Sequence, residues 1–191
     1  METSGKRDDI IKAALELFAE QGFHGTPMSM IAEKAGVGAG TIYRYFENKN
    51  VLITELFGEL ERKYIAALQD GYDPNKPIKE RLFHIGKAMV VYSISNPLYF
   101  RYTEQFYNSP YGVSRRKDKM LGKAGDHDLL EEIFDEGVSQ QIFKDLPRPV
   151  LFAFFIGPLI TIIRDHILDF YILDEGLIQE IVNACWDGIK Q

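Results

Sequence analysis

The stretch that decides the fold is Ala13–Leu52, which reads AALELFAEQGFHGTPMSMIAEKAGVGAGTIYRYFENKNVL. Around its start, four apolar residues recur at spacings of three and four: Ile11, Ala14, Leu15 and Phe18. This spacing places them on one face of a helix that we expect to run from about Arg7 to Gln21. Gly22 is expected to end that helix, because glycine is common just after a helix C-terminus.

The rest of the stretch predicts two short helices joined by a glycine-containing turn. Thr26 before Pro27 is typical of a helix start, with a hydroxyl at the N-cap and proline at the first helical position. The turn at residues 36–37 separates this helix from a third, in which Ile42 and Phe46 share an inward face. Two short helices joined in this way form a helix-turn-helix.

Residues 11–52 resemble the N-terminal DNA-binding domain of the TetR family of bacterial transcriptional regulators. The first helix, the turn and the recognition helix follow each other in the order and spacing of that family, over about a quarter of the chain. The resemblance implies an all-α protein with a three-helix DNA-binding domain over residues 1–50. It also implies a larger helical domain over residues 51–191 that binds a small inducer and dimerises.

The candidate DNA-contacting residues lie in and around the third helix. Glycine at 38 and 40 lets the backbone approach a phosphate, and a helix N-terminus presents unpaired N–H groups to it. Hydroxyl and ammonium donors suit phosphate oxygens, whereas the fork of Arg44 can bond bidentately to guanine and so read sequence. The predicted set is Thr26, Gly38, Ala39, Gly40, Thr41, Tyr43, Arg44, Tyr45 and Lys49.

Three of these positions depart from the family pattern. The family commonly has serine, often lysine, and histidine where this chain has Gly38, Ala39 and Tyr45, respectively. Glycine still tolerates an N-cap but lacks the side-chain acceptor, and alanine offers only a methyl group, which suits thymine. The family's operator sequences therefore do not carry over to this chain.

The charge pattern predicts local rather than bulk attraction to DNA. The whole chain has a net charge of −6, and residues 1–50 hold six basic and seven acidic residues. A protein that coats nucleic acid through bulk charge is excluded. We therefore expect few phosphate contacts per subunit and a modest dependence of binding on salt.

Composition also narrows the class of protein. With 46% hydrophobic and 26% charged residues, the chain is in the range of folded globular proteins. A single cysteine cannot form an internal disulfide, and no secretory leader is recognisable, so we expect a reducing cytoplasm. The longest apolar run, residues 150–163, contains Gly157 and Pro158 and is shorter than the roughly 20 residues of a membrane span. We expect no membrane anchor.

Helical spacing continues through most of the second part of the chain. The polar stretch Gly112–Asp128 is expected to be a mobile loop, and Pro158 is expected to kink the helix that contains it. The predicted helices are 51–69, 77–95, one from about 97, 150–170 and 174–190.

Aromatic residues are dense in the helix that begins near Pro97, and ligand cavities are mostly apolar and aromatic. The predicted ligand-binding residues are Met89, Tyr92, Tyr102, Phe106, Phe152 and Phe155, with Gln105, His84 and Arg164 as candidate polar anchors. The alternative is that these aromatic residues only fill the core.

The final helix carries an unbroken apolar stripe. Such a stripe beside a second apolar helix predicts a four-helix interface between two copies of the chain. The predicted interface residues are Ile178, Ile181, Val182, Cys185 and Trp186.

No catalytic, phosphate-loop or metal-binding motif is present, so the sequence predicts no enzyme, no cofactor and no metal site. It favours a ligand-responsive transcriptional regulator, in which a homodimer binds a palindromic double-stranded DNA operator and a small apolar or aromatic inducer releases it. Within regulation, an activator and a ligand-independent regulator remain open. Outside regulation, the alternatives are a small-molecule carrier with a helical bundle that does not read DNA, and then an enzyme.

Overall fold

The computed structural model describes residues 3–120 and 129–191, with side chains over 5–117 and 129–191. Those residues contain ten helices and no strand, apart from one isolated antiparallel bridge between Phe143 and Lys190. The predicted all-α fold class is confirmed. The helices are α1 Thr3–Gly25, α2 Met28–Lys34, α3 Ala39–Tyr45, α4 Lys49–Gln69, α5 Ile78–Ser95, α6 Pro97–Tyr107, α7 Pro110–Met120, α8 Leu129–Ser139, α9 Arg148–Ile167 and α10 Glu175–Ile189.

Two compact units make up the chain. The first consists of Met1–Lys63 and Asn96–Ala124, and the second of Tyr64–Ser95 and Gly125–Gln191. The first unit therefore takes in α6 and α7 as well as α1–α3 and most of α4. The functional boundary after residue 50 stays a prediction, since compactness alone does not say which residues are needed for DNA binding.

The first unit is built on the packing of α6 against α1. Phe18 and Phe23 of α1 contact the Tyr102 ring, at centroid distances of 6.3 and 5.5 Å. Phe57 of α4 stacks on Phe106 at 3.8 Å with an interplanar angle of 11°. These rings bury a large apolar area, which is the main stabilising contribution to a core of this kind.

In the second unit α5 packs against α8, α9 and α10. Gly86 on α5 permits close approach, because a Cβ at that position would lie 3.0 Å from Val182 and 3.1 Å from Phe155. Between α5 and α8, the buried Arg81 guanidinium donates to the Glu136 carboxylate. Burial alone would lower the Arg81 pKa, but this hydrogen bond raises it above its usual value.

The C-terminal end of α10 is fixed to the segment after α8. The backbone N–H of Lys144 donates to the Ile189 carbonyl at 2.8 Å, and that of Gln191 donates to the Ile142 carbonyl at 3.0 Å. The Phe143 ring of this segment packs directly on Gly137 of α8 and contacts Trp186 of α10. This segment therefore joins α8 to α10.

The structure corrects the expectation of a loop over Gly112–Asp128, whereas the expected kink at Pro158 stays a prediction. Residues 112–120 of the predicted loop Gly112–Asp128 are helical and belong to α7, while residues 121–128 lie outside the described residues. Pro110 at the start of α7 suits a first helical turn, where its missing N–H costs no hydrogen bond. Farther along the chain, α9 passes through Pro158 without interruption and continues to Ile167.

Candidate nucleic-acid interface

The helix-turn-helix is formed by α2, a turn and α3. Gly36 in the turn has a φ of +64°, a left-handed conformation that favours glycine. Gly38 is the N-cap of α3, with extended backbone and no side-chain hydrogen bond, as the sequence predicts. Ile42 and Phe46 are completely buried, so they fix one side of α3 against the unit.

The opposite side of α3 faces solvent. Tyr43 is 54% exposed, and Arg44 and residues 38–40 are exposed as well, whereas Thr41 and Tyr45 are half-buried. The Arg44 guanidinium lies over the Tyr45 ring, 5.6 Å from its centroid. This contact preorganises the long Arg44 side chain and leaves the helix surface open to a DNA groove.

Thr26 differs from its predicted role as the N-cap of α2. The N-cap is Pro27, because α2 begins at Met28, and Thr26 is completely buried. Its hydroxyl donates to the carbonyl oxygens of Gly22 at 2.9 Å and Leu17 at 3.3 Å. The Thr26 side chain therefore completes the end of α1 and does not face solvent as a phosphate contact would.

Lys49, the last of the predicted DNA contacts, is half-buried at the start of α4. Its Nζ donates to the carbonyl oxygens of Phe23 at 2.7 Å and Thr26 at 3.2 Å. The sequence had no signal for this arrangement, because the bonded residues are 23 and 26 positions away along the chain. At least part of the hydrogen-bonding capacity of Lys49 is thus used within the protein.

Two further cations of the first 50 residues are paired with acids. Arg7 bonds Glu59 at 2.6 Å and Glu55 at 2.9 Å, and Lys34 bonds Glu16 at 2.9 Å. Burial alone would lower the Arg7 pKa, but the hydrogen bonds to Glu59 and Glu55 outweigh it and raise the pKa. These pairs occupy two of the six basic side chains of residues 1–50, and the expectation of few phosphate contacts per subunit stays a prediction.

The predicted ligand-binding residues fall into both units. Tyr102 and Phe106 belong to the packed aromatic core of the first unit and are buried. The other four belong to the second unit: Met89, Tyr92, Phe152 and Phe155. Of the candidate polar anchors, Gln105 donates to the Ala19 carbonyl at 3.3 Å, and the His84 Nε2 lies 3.1 Å from the Leu68 carbonyl.

Within the second unit, two of these four residues share a neighbour. Phe152 and Phe155 contact the Phe134 ring at centroid distances of 5.9 and 6.3 Å, and Phe155 is completely buried. Tyr92 is half-buried against Tyr64, and burial raises its pKa. A separate surface groove of about 370 Å³ in this unit is lined by Lys76, Lys79, Glu80, Phe83, His84 and Asn183.

The predicted dimer residues face mainly into their own protomer. Ile178, Val182, Cys185 and Trp186 are buried, whereas Ile181 is half-buried. Burial raises the pKa of the Cys185 thiol to about 11, so this cysteine is protonated and unreactive at neutral pH.

Part of the exposed apolar surface of the second unit lies on other faces of α9 and α10. Val150, Phe154 and Gly157 follow one face of α9, and Phe154 is 54% exposed. On α10, the residues at spacings of four, three and four are Leu177, Ile181, Ala184 and Gly188, all exposed or half-buried. Ala184 and Gly188 have small side chains and would let a second helix approach closely at that end of α10.

Two features of the described residues concern the expectations of no metal site and no membrane anchor. Over residues 3–120 and 129–191, no group of three or more His, Cys, Asp or Glu side chains is placed to hold a metal ion. Helix α9 is long and apolar enough to cross a membrane by length and composition alone, which core helices of soluble proteins also are. Here Leu151, Phe155 and Leu159 of α9 are completely buried.

Comparisons with known proteins cover nearly the whole chain. The family described as "Bacterial regulatory proteins, tetR family" matches residues 10–56, and "Tetracyclin repressor-like, C-terminal domain" matches residues 77–190. The chain is similar to the fatty acid metabolism regulator protein of Bacillus subtilis (strain 168), with 27% identity over 182 residues, 92% of this chain and 93% of that protein.

Solved structures of transcriptional regulators also match nearly the whole chain. A TetR family protein from Vibrio parahaemolyticus has a TM-score of 0.75 and 31% identity. The match covers 97% of this chain and 99% of that chain. The transcriptional regulator FadR from Bacillus subtilis, solved with stearoyl-CoA, has a TM-score of 0.72 and 23% identity, covering 95% and 96% of the two chains.

The helix-turn-helix with its exposed α3 surface, joined to a helical second unit, defines a DNA-binding transcriptional regulator. Family matches over residues 10–56 and 77–190 make the assignment more specific. The chain belongs to the TetR family of bacterial transcriptional regulators, which confirms the resemblance found in residues 11–52.

Proposed function

We propose that this protein is a cytoplasmic repressor that binds a palindromic DNA operator as a homodimer and is released by a small ligand with an apolar or aromatic part. The observation that carries the proposal is the solvent-facing side of α3, where Arg44 and Tyr43 project from a helix whose other side is buried. A helix held in this way presents side chains to base edges in a major groove. Ala39 adds a methyl group that suits thymine.

The proposed dimer interface is the exposed face of α9 and α10. Apolar residues such as Phe154 cost free energy when they face water, and pairing with a second copy would bury them. A two-fold interface places the same face of both subunits together, which suits a four-helix arrangement. Two recognition helices related by a two-fold axis then match two half-sites about 34 Å apart.

The proposed ligand site is in the second unit, around Met89, Tyr92, Phe152 and Phe155. The side chains are apolar or aromatic, as is usual for sites that take hydrophobic guests. The related Bacillus subtilis protein is named for fatty acid metabolism, and FadR of that organism was solved with stearoyl-CoA. The acyl chain of a long-chain acyl-CoA would suit these apolar side chains, so stearoyl-CoA is the first ligand to test, followed by aromatic compounds.

Release from DNA requires that the ligand prefer one arrangement of the protein. A ligand shifts such an equilibrium only by its differential affinity for the DNA-binding and non-binding states. By linkage, operator DNA must weaken ligand binding by the same factor by which the ligand weakens operator binding. Coupling of about 1–3 kcal/mol is ordinary for such systems.

The test is a binding titration with DNA from upstream of the protein's own gene, with and without stearoyl-CoA. A sequence-specific complex that stearoyl-CoA dissociates would support the whole proposal. A specific complex that no tested ligand affects would favour a ligand-independent regulator. Ligand binding without any specific DNA complex would favour the small-molecule carrier, a role that the lack of polar side chains at Gly38 and Ala39 would suit.

A further inference from the structure

Lys49 connects the two ends of the helix-turn-helix. Its Nζ donates to the carbonyl oxygens of Phe23, at the end of α1, and of Thr26, just before α2. Lys49 itself is the first residue of α4 and follows α3 after only three residues. One side chain thus spans from the segment that enters α2 to the segment that leaves α3. We call this pair of hydrogen bonds the Lys49 bridge.

The oxygens that accept these bonds need donors. Gly22, with a φ of +77°, interrupts α1 near its end, and the last carbonyls of a helix have no partner within the helix. The Thr26 hydroxyl donates to the carbonyls of Leu17 and Gly22. Lys49 supplies a donor to the Phe23 carbonyl at the end of α1, where a cation also interacts favourably with the negative end of the helix dipole, and a second donor to the Thr26 carbonyl just beyond the helix.

This geometry differs from that of a simple phosphate contact. An ammonium group has three N–H donors, and the bridge uses two of them within the protein. The buried Ile42 and Phe46 hold α3 by apolar packing, which is non-directional. The directional bonds of the Lys49 bridge add a fixed distance between the two ends of the motif.

From this geometry we infer that Lys49 is a positioning residue, which sets the placement of α3 for sequence-specific binding through the Lys49 bridge. The inference rests on the proposed operator binding. Loss of the Lys49 bridge should therefore lower the specificity for operator over unrelated DNA. A displaced α3 loses its base contacts, while contacts to the DNA backbone remain adjustable. A phosphate-contacting lysine would weaken binding to all sequences alike.

The test variant is Lys49→Met, which keeps most of the stem and removes the ammonium group. The matched control is Lys63→Met, which removes an exposed lysine of the same helix. Lys63 is the last residue of α4 that belongs to the first unit, whereas Lys49 is the first. Both are made in the full chain. Amide hydrogen exchange is measured without DNA, and binding to operator and to unrelated duplex is measured over a range of salt, well below the melting temperature.

We expect exchange over residues 22–35 of Lys49→Met to be about tenfold faster than in the wild type, because the bridge that restrains this segment is lost. Operator affinity should fall about tenfold while affinity for unrelated duplex changes less than about twofold. The slope of log affinity against log salt should stay unchanged. Lys63→Met should match the wild type in exchange and in specificity.

The opposite pattern would overturn the inference. A phosphate contact predicts unchanged exchange and a salt slope lowered by about 0.9 for each subunit. If Lys49→Met does not fold, Lys49→Gln is used, and changes in the same direction but smaller are expected, because its uncharged amide is one bond shorter and reaches the two oxygens less well. If the wild type binds no operator, the proposed function fails, yet the exchange comparison still decides whether the Lys49 bridge exists.

Discussion

The hydroxyl of Tyr102 donates a 2.7 Å hydrogen bond to the backbone oxygen of Ile53, so that α6 is bonded to α4 inside the first unit. Tyr102 is completely buried and contacts the rings of Phe18, Phe23 and Phe106. Burial, with a smaller contribution from Tyr111, raises the Tyr102 pKa well above its usual value near 10.

This raised pKa gives a pH-dependent stability with a definite sign. Below about pH 10 the tyrosine is neutral in both the folded and unfolded states. Above that pH the unfolded chain ionises more readily, so the contribution of Tyr102 to the free energy of unfolding falls as pH rises. Tyr102→Phe should cost about 1 kcal/mol at pH 8, and this cost should shrink by about 1 kcal/mol at pH 11.

Urea unfolding of both proteins at the two pH values measures this difference. Tyr43→Phe is the control for the loss of an exposed tyrosine hydroxyl. A cost of Tyr102→Phe that is the same at pH 8 and pH 11 would contradict the assignment.

Arg44 is expected to read a base pair. Arg44→Ala should lower operator affinity by about 1–3 kcal/mol and relax the preference at one position of each half-site, because bidentate contact to guanine is lost. Arg62→Ala removes an equal charge from the exposed surface of α4 and should leave that preference intact. Competition binding with operators substituted at each position measures both. Unchanged preference in Arg44→Ala would assign base reading to another residue.

The dimer prediction concerns the exposed face of α9. Phe154→Glu places a charge where we expect the partner helix, so the variant should remain folded but become monomeric and lose operator affinity. Val113→Glu is the control, since Val113 is exposed to a similar extent on α7, in the first unit. Sedimentation gives the oligomeric state. A folded Phe154→Glu protein that is still a dimer would place the interface elsewhere.

Gly137 is expected to tolerate no side chain. A Cβ there would lie 2.1 Å from the Phe143 ring, which is itself buried. Gly137→Ala should therefore lower the free energy of unfolding by about 1–3 kcal/mol, despite alanine's better helix propensity. At Gly58 the nearest atom would be 3.6 Å away, so Gly58→Ala should be neutral or stabilise by up to about 1 kcal/mol. Thermal unfolding of the pair separates the two outcomes.

Local patterns were sufficient to predict the helix-turn-helix. The apolar spacing around Ala14 and Phe18, and the glycines at 22, 36 and 38, each act within a few residues of chain, so the sequence carries them directly. The same holds for the long apolar helix α9. Helix α7 was missed because its many charges favoured a loop, although Ser109 followed by Pro110 is a typical helix start.

The features that the sequence could not predict depend on tertiary contacts. Aromatic spacing could not show that Tyr102 and Phe106 pack in the first unit while Met89 and Phe155 belong to the second. Periodicity predicted the apolar stripe of α10, but it could not show which surface covers that stripe. Val182, for example, is buried within its own protomer. Likewise, nothing local to Lys49 indicates bonds to oxygens more than 20 residues away.

The inclusion of α6 in the first unit sets an order of events during synthesis on the ribosome. The recognition helix is complete once residue 46 has been made, yet the rings of Tyr102 and Phe106 that close its unit's core come more than 50 residues later. Chains are made at about 5–20 residues per second, so the nascent helix-turn-helix waits several seconds for these rings. The apolar faces of α1 and α4 remain exposed to chaperones during that interval.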